Sequence, residues 1–357
     1  MFLKRVFRRS LPVLDWIQVE VTSHCNAACV YCPYSVHRQN WRWRHLALET
    51  YRKLVPFLCK TKLLHLQGWG EPLLNPHFFE MVRLAKEQGC QVGTTTNGTL
   101  LDRERLILVM EHDLDMIAFS LAGTDEKNDT IRRGTSLEQI LQTIKLLNEL
   151  KGERRSSRPE IHIAYMLLRS GLEDIVGLPS LLQDLGVSQV VISTLDFIPN
   201  EELAPEAFTT PDTQPDELQK LLKSVRREGK RRGVPIHYQI PGGEPQPFCS
   251  ENVQQSLFVS SDGGVSPCVF TNLPVSNDSL FIEGRVRPYI PLSFGNVNEE
   301  PLSRIWRKKS YRRFRHSFSS GKFAQPCLNC SKRRIITEKS KADSLRLLLD
   351  LYDLIGR

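Results

Sequence analysis

A chain of 357 residues, 40% hydrophobic and 25% charged, can bury a barrel-sized core and carry a smaller appendage without needing disulfide staples. Its formal net charge of +8 is spread over short clusters (4–9, 226–232, 307–315, 332–334), so neither nucleic acid nor a membrane surface is expected as the main partner. No run of about 18 apolar residues occurs, so no membrane-spanning helix is expected. The first nine residues lack a signal peptide's apolar region, so the expected location is the cytoplasm, where nine cysteines point to metal or redox chemistry.

In chain order, the apolar run 17–21 reads as a buried strand, and Cys25-Asn26-Ala27-Ala28-Cys29-Val30-Tyr31-Cys32 follows it directly. Three thiolates spaced C-x3-C-x2-C can hold three irons of a four-iron cluster and leave the fourth open to an outside molecule. A structural zinc site would close its shell with a fourth Cys or His, and His24 abuts Cys25 at a spacing foreign to zinc knuckles. Trp41-Arg42-Trp43-Arg44 either lines a substrate mouth or packs in the core. A helix over 49–58 should kink or end early at Pro56. The strand at 62–67 ends in Gly68-Trp69-Gly70-Glu71-Pro72, whose glycines let the backbone approach a ligand closely.

Asn75 and Pro76 should open a helix that buries Phe78, Met81, Val82, Leu84 and Ala85. The strand at 90–96 brings Thr96, Asn97 and Gly98 to the same rim, where an Asn-Gly turn would equally serve a positive φ. Asp102 caps a helix over 103–112, and the strand at 115–121 delivers Ser120. Cys59 and Cys90 are expected to be small buried residues. Ser136 starts a capping box for a helix with Leu137, Ile140, Leu141, Ile144 and Leu147 on one side. Strands at 161–168 and 189–195, with a helix over 172–185 between them, complete six repeats. The pattern predicts an α/β fold, a parallel barrel-like sheet with its site at the C-terminal rim.

A loop rich in Pro, Glu and Thr (199–215), a charged helix (216–232) and a strand-like stretch (235–240) lead to Pro241-Gly242-Gly243, the expected domain boundary. The expected organisation is a basic arm at 1–15, a barrel at 16–240, a cysteine-rich α+β domain at 241–335 and a C-terminal helix at 336–357. In the third of these, a hairpin turns at Asp262-Gly263, and Cys249, Cys268, Cys327 and Cys330 make either a closed zinc shell or a fully ligated iron–sulfur cluster. Spacing does not choose between the two.

The Cys25/Cys29/Cys32 motif, with Tyr31 before its third cysteine, resembles the signature of the radical S-adenosylmethionine (radical SAM) superfamily. The resemblance implies a partial (β/α)6 TIM-like barrel and a [4Fe-4S] cluster whose open iron chelates SAM. One electron then cleaves SAM to a 5′-deoxyadenosyl radical, which abstracts a hydrogen from substrate. Gly70 and Glu71 resemble the family's GGE motif, Thr96 and Asn97 its TNG, and Ser120 its strand-four serine, all beside SAM together with Tyr31. Ile131-Arg132-Arg133-Gly134 resembles its IRxG stretch, in which Arg132 or Arg133 would meet the SAM carboxylate or the substrate.

Cys249, Gly263 and Cys268, then Gly295-Asn296-Val297 and Leu302-Ser303-Arg304-Ile305-Trp306, resemble the SPASM extension. No cysteine follows Cys330, which implies the shorter Twitch form with one auxiliary [4Fe-4S] cluster for electron transfer. The implied partners are a small-molecule or peptide substrate and an electron donor such as ferredoxin or flavodoxin. The rival reading is a non-catalytic scaffold, zinc- or cluster-stabilised, that holds nucleic acid on its basic surface. Ordered polar motifs after strands one to four argue against it.

Overall fold

The computed structural model describes residues 11–208, 215–242, 244–275, 279–282 and 285–336. Residues 1–10 of the basic arm expected at 1–15 and residues 337–357 of the C-terminal helix expected at 336–357 lie outside the described residues, as does Gly243. Six strands lie side by side in chain order, all parallel: β1 (Leu14–Val19), β2 (Thr61–Leu66), β3 (Gln91–Thr96), β4 (Met116–Leu121), β5 (Glu160–Leu167) and β6 (Gln189–Thr194). β7 (Ile236–Tyr238) adds a seventh beside β6.

The two faces of these strands differ in chemistry. Ile17, Val19, Leu64, Leu66, Val92, Ile117, Phe119, Ile161 and Ile163 join Phe78, Met81, Leu106, Ile140 and Ile144 of the crossover helices in one core. The alternate residues, Gln18, His65, Thr95, Ala118, His162, Ala164 and Gln189, line a cavity of about 380 Å³ inside the barrel. The period-2 alternation of a strand sets one face against helices and the other against the lumen. Small and polar residues there, in place of the bulky branched ones that fill a closed barrel, leave it open.

The expected boundary at 241–243 does not end the sheet. β8 (Ser256–Val259) pairs in parallel with β1 on the edge away from β2, with Trp16 opposite Ser256 and Val19 opposite Val259. β9 (Gly264–Ser266) and β10 (Gly295–Asn296) continue it antiparallel. Barrel and cysteine-rich region thus share one ten-stranded sheet.

Several local expectations are corrected. The helix expected over 172–185 is a 3-10 turn, Asp174–Gly177, and a short helix, Leu178–Leu182. Pro179 has no N–H to donate back along a longer helix, so it sits in the first turn of a new one. Pro56 acts likewise, dividing 49–58 into Leu48–Arg52 and Val55–Leu58. Cys59, at the end of the second, is exposed, whereas Cys90 is buried as expected. Asn75 does not cap its helix, which runs Phe78–Lys86 from His77. Its side chain accepts from His77 N at 2.8 Å and donates to Val21 O at 2.6 Å, tying the turn to the end of β1.

At the opposite end of the sheet the buried Asp115 carboxylate takes Lys86 Nζ at 2.7 Å, the backbone N–H of Val92 at 2.8 Å and the Arg158 guanidinium. Asp115→Ala strands these donors and should cost about 3 kcal/mol of stability in urea denaturation. A loss under 1 kcal/mol would show the network to be dispensable.

Candidate functional site

The cysteine loop leaves the end of β1 and is pinned from several directions. Ala28 and Cys29 pair antiparallel with Arg133 and Arg132, and Val30 N donates to Ile131 O at 2.9 Å. Tyr34 OH donates to Cys25 O at 3.0 Å, and Asn26 Nδ2 to Thr99 Oγ1 at 2.7 Å. Trp41 is buried and donates its indole N–H to Ser23 O at 2.9 Å, so it belongs to the packing beneath the loop, while Trp43 is exposed. His24 stacks on His45 with ring centroids 4.4 Å apart.

Cys25, Cys29 and Cys32 border a cavity of about 350 Å³ together with Tyr31, Gly70, Glu71, Thr96, Asn97, Ser120 and Arg132. Motifs spread over a hundred residues therefore converge at the ends of β1 to β4. Arg133 is the exception: its side chain is exposed and takes no part in the cavity wall, because strand pairing turns Arg132 inward and its neighbour outward. Of the two arginines expected near the cofactor, Arg132 is thus the one at the cavity. Its guanidinium bonds the buried Tyr31 hydroxyl, while its Nε is buried without a hydrogen-bond partner.

Glu71, Thr96 and Asn97 reach the rim but are largely engaged with one another. Glu71 Oε1 accepts from Thr96 Oγ1 at 2.8 Å and Leu73 N at 3.3 Å, and Oε2 from Asn97 N at 2.7 Å. Asn97 Nδ2 donates to Asn26 Oδ1 at 2.8 Å, so the end of β3 holds the cysteine loop directly. A Cβ on Gly70 would collide with the carbonyl oxygens of Thr22 and His24, which is why this turn needs glycine. Burial pushes the Cys25 thiol up to about 11 and the Cys32 thiol up to about 12. Such thiols ionise when a metal takes the proton's place, so the donor set and the unpartnered Arg132 Nε fit a cluster with an anionic ligand beside it.

Sequence reasoning missed much of the far wall: Trp69, Asp196, Phe197, Phe270 and Lys332. Asp196 and Phe197 follow the end of β6, a rim position that the barrel pattern itself marks. Lys332 pairs with Asp196 at 3.0 Å and Glu251 at 3.6 Å, joining the rim to the cysteine-rich region. There Cys249, Cys268, Cys327 and Cys330 lie near enough to act on one another's charge. Burial, then the neighbouring thiols, raises Cys249 well above the ordinary thiol value; burial, then Glu251 and after it Cys330 and Cys327, does the same to Cys268. Arg333 Nη1 donates to Cys327 O at 2.8 Å and Leu328 O at 3.1 Å, fixing the C-x2-C turn.

Glu20, just past β1, is buried and accepts from Trp69 N at 3.2 Å, Ser261 N at 3.0 Å and Ser261 Oγ at 2.8 Å. Desolvation outweighs these bonds and raises its pKa from 4.5 to about 7. The folded chain therefore holds a proton that the unfolded chain releases, and stability should fall by about 3 kcal/mol as pH rises from about 4.5 to 7. Glu20→Gln, which cannot titrate, should lack this slope in urea denaturation of the metal-free chain; equal slopes in both proteins would refute the assignment.

Two family models match the chain: the radical SAM superfamily over residues 19–178 and the SPASM iron–sulfur cluster-binding domain over 249–331. Among curated proteins, the tungsten-containing aldehyde ferredoxin oxidoreductase cofactor-modifying protein of Pyrococcus furiosus is 26% identical over 329 residues, covering 90% of this chain and 88% of its own. The PqqA peptide cyclase of Gluconobacter oxydans is 23% identical, with 88% and 82% covered. Among solved structures, Streptococcus suis SuiB bound to S-adenosylmethionine aligns with a TM-score of 0.63 at 13% identity, covering 96% of this chain and 77% of its own. Native anSMEcpe with bound AdoMet aligns at 0.62 and 16%, covering 95% and 99%. At such identities the structural likeness speaks for the fold, a partial barrel with a C-terminal cysteine-rich domain. The chain belongs to the radical SAM superfamily and carries a C-terminal SPASM domain, with SAM, a [4Fe-4S] cluster and auxiliary iron–sulfur chemistry as its cofactors.

Proposed function

We propose that the chain is an enzyme that cleaves SAM reductively and abstracts a hydrogen atom from a small-molecule or peptide substrate, in an oxidation, dehydrogenation or maturation reaction. The observation that carries this reading is the single cavity bordered by Cys25, Cys29, Cys32, Gly70 and Arg132. When bound there, the cluster supplies the electron that splits SAM into methionine and a 5′-deoxyadenosyl radical. Cys25, Cys29 and Cys32 hold it. Gly70 lets the rim close on the Thr22 and His24 carbonyls of the cysteine loop, and Arg132, whose Nε has no protein partner, meets the carboxylate. Glu71, Thr96 and Asn97 shape that rim through their mutual bonds, while Tyr31 orients Arg132 and Ser120 offers a hydroxyl from β4.

Cys249, Cys268, Cys327 and Cys330 hold one auxiliary [4Fe-4S] cluster in a domain that begins near residue 241. With a thiolate for each of four irons, its role is electron transfer rather than substrate ligation. Substrate occupies the barrel lumen, since the two cavities share Gln67, Thr95, Asp196, Phe270 and Lys332 in their walls. Relatives that modify a cofactor or cyclise a peptide support a peptide or cofactor-precursor substrate. A ferredoxin or flavodoxin in the cytoplasm supplies the electron.

Replacing Cys25, Cys29 and Cys32 together with Ala should abolish 5′-deoxyadenosine formation under anaerobic reduction and leave about half the iron; undiminished formation would end this reading. The two arginines give a finer test. Arg132→Met should weaken SAM binding by roughly tenfold through loss of a charge-assisted contact, and Arg133→Ala by less than twofold. Equal effects in equilibrium binding would remove Arg132 from the site.

A further inference from the structure

Trp69 sits between two glycines that have no slack. A Cβ on Gly68 would overlap the Glu20 side chain, and one on Gly70 would overlap the loop leading to Cys25. Glu71 N donates to His24 O at 2.8 Å, next to the first cysteine of the motif. A shift of Trp69 is therefore passed to the rim on one side and to the cysteine loop on the other.

From the opposite direction Trp69 is held by the auxiliary-cluster region and by Phe197 past the end of β6. Cys268 opens a 3-10 turn, Val269–Thr271, and accepts at its carbonyl from Thr271 Oγ1 at 2.8 Å. That turn ends by presenting Asn272 O to the Trp69 indole N–H at 3.2 Å. Phe270, on the same turn, meets the indole edge-on with ring centroids 6.0 Å apart, and Phe197 closes the cluster at 5.7 Å from Trp69 and 5.8 Å from Phe270. A second thread runs through Glu20, which takes Trp69 N on one oxygen and Ser261, in the turn between β8 and β9, on the other.

We propose that Trp69 is a positioning residue that couples the auxiliary site to SAM binding: ordering Cys268 sets the turn 269–272, and that turn sets Trp69 and the Gly68-to-Glu71 rim. This rests on the reading that the rim borders SAM. Two hydrogen-bond threads, from Asn272 O and from Ser261, meet at Trp69 or the Glu20 carboxylate beneath it, and Phe270 packs on the same indole; the Lys332–Asp196 pair and the Arg42 bond to Val275 O join the two regions away from it.

The test is a double-mutant cycle on the full-length, anaerobically reconstituted protein, with SAM as titrant. The readout is the SAM-induced change in the electron paramagnetic resonance spectrum of the reduced cluster. Trp69→Ala should weaken SAM binding about tenfold, and Cys327→Ala/Cys330→Ala, which empties the auxiliary site, should do the same. Combined, they should be no worse than either alone to within about twofold, because both cut one thread. Trp69→Phe keeps the ring and loses the bond to Asn272 O, and should fall between parent and Trp69→Ala.

If the cysteine pair impairs folding, seen in circular dichroism or a loss of the remaining iron, Ser261→Ala replaces it. It should weaken SAM binding about twofold in the parent and not at all in Trp69→Ala. Losses that multiply in the combined variant would overturn the coupling, as would an auxiliary-site variant that binds SAM like the parent while Trp69→Ala does not. If Trp69→Ala and Gly70→Ala both leave SAM affinity untouched, the placement of SAM at this rim fails instead, and the coupling with it.

Discussion

The buried Glu71 carboxylate is where the ties of the rim meet. It draws the end of β3 onto the turn after β2, and through Asn97 that same end grips Asn26 in the cysteine loop. Three loops from three strands thus become one surface, although none is rigid through its own sequence. The arrangement is costly, since burial raises the Glu71 pKa and opposes ionisation. Its bonds from Asn97 N, Thr96 and Leu73 N offset that cost, and a charged acceptor serves them better than a neutral one.

The barrel's two chemistries follow from the same alternation. Apolar residues on one strand face give the core that fixes the parallel order, so the other face is free to be polar and small without loss of the fold. His65 shows the effect on a single side chain: burial lowers its pKa to about 4, so the lumen holds a neutral imidazole beside Thr95.

Most of the frame was legible in the sequence because its signals are local. Alternating apolar runs gave β1 to β6 to within a few residues, and Asp102 and Ser136 cap their helices as their positions imply. What escaped depended on distant neighbours. Arg132 and Arg133 look alike in sequence, and only pairing with Ala28 and Cys29 decides which one turns inward. The parallel pairing of β1 with β8 leaves no mark on either strand, so nothing around the glycines at 242 and 243 tells that the sheet runs on past them. Trp69 read as a residue inside a glycine-rich turn, because its partners Phe197, Phe270 and Asn272 lie 128 to 203 positions away.

That pairing also bears on synthesis. Strand β1 carries the cysteine loop at its end, yet one of its edges stays bare until β8, about 240 residues later, has been made. At ordinary ribosomal speeds of about 5–20 residues per second the delay is roughly 10–50 s. Throughout it the nascent chain exposes three thiols next to an apolar strand edge, which is open both to aggregation and to iron delivery. The order of assembly is thereby set by topology: the first cysteines wait, reduced and accessible, for a strand encoded in the last third of the chain.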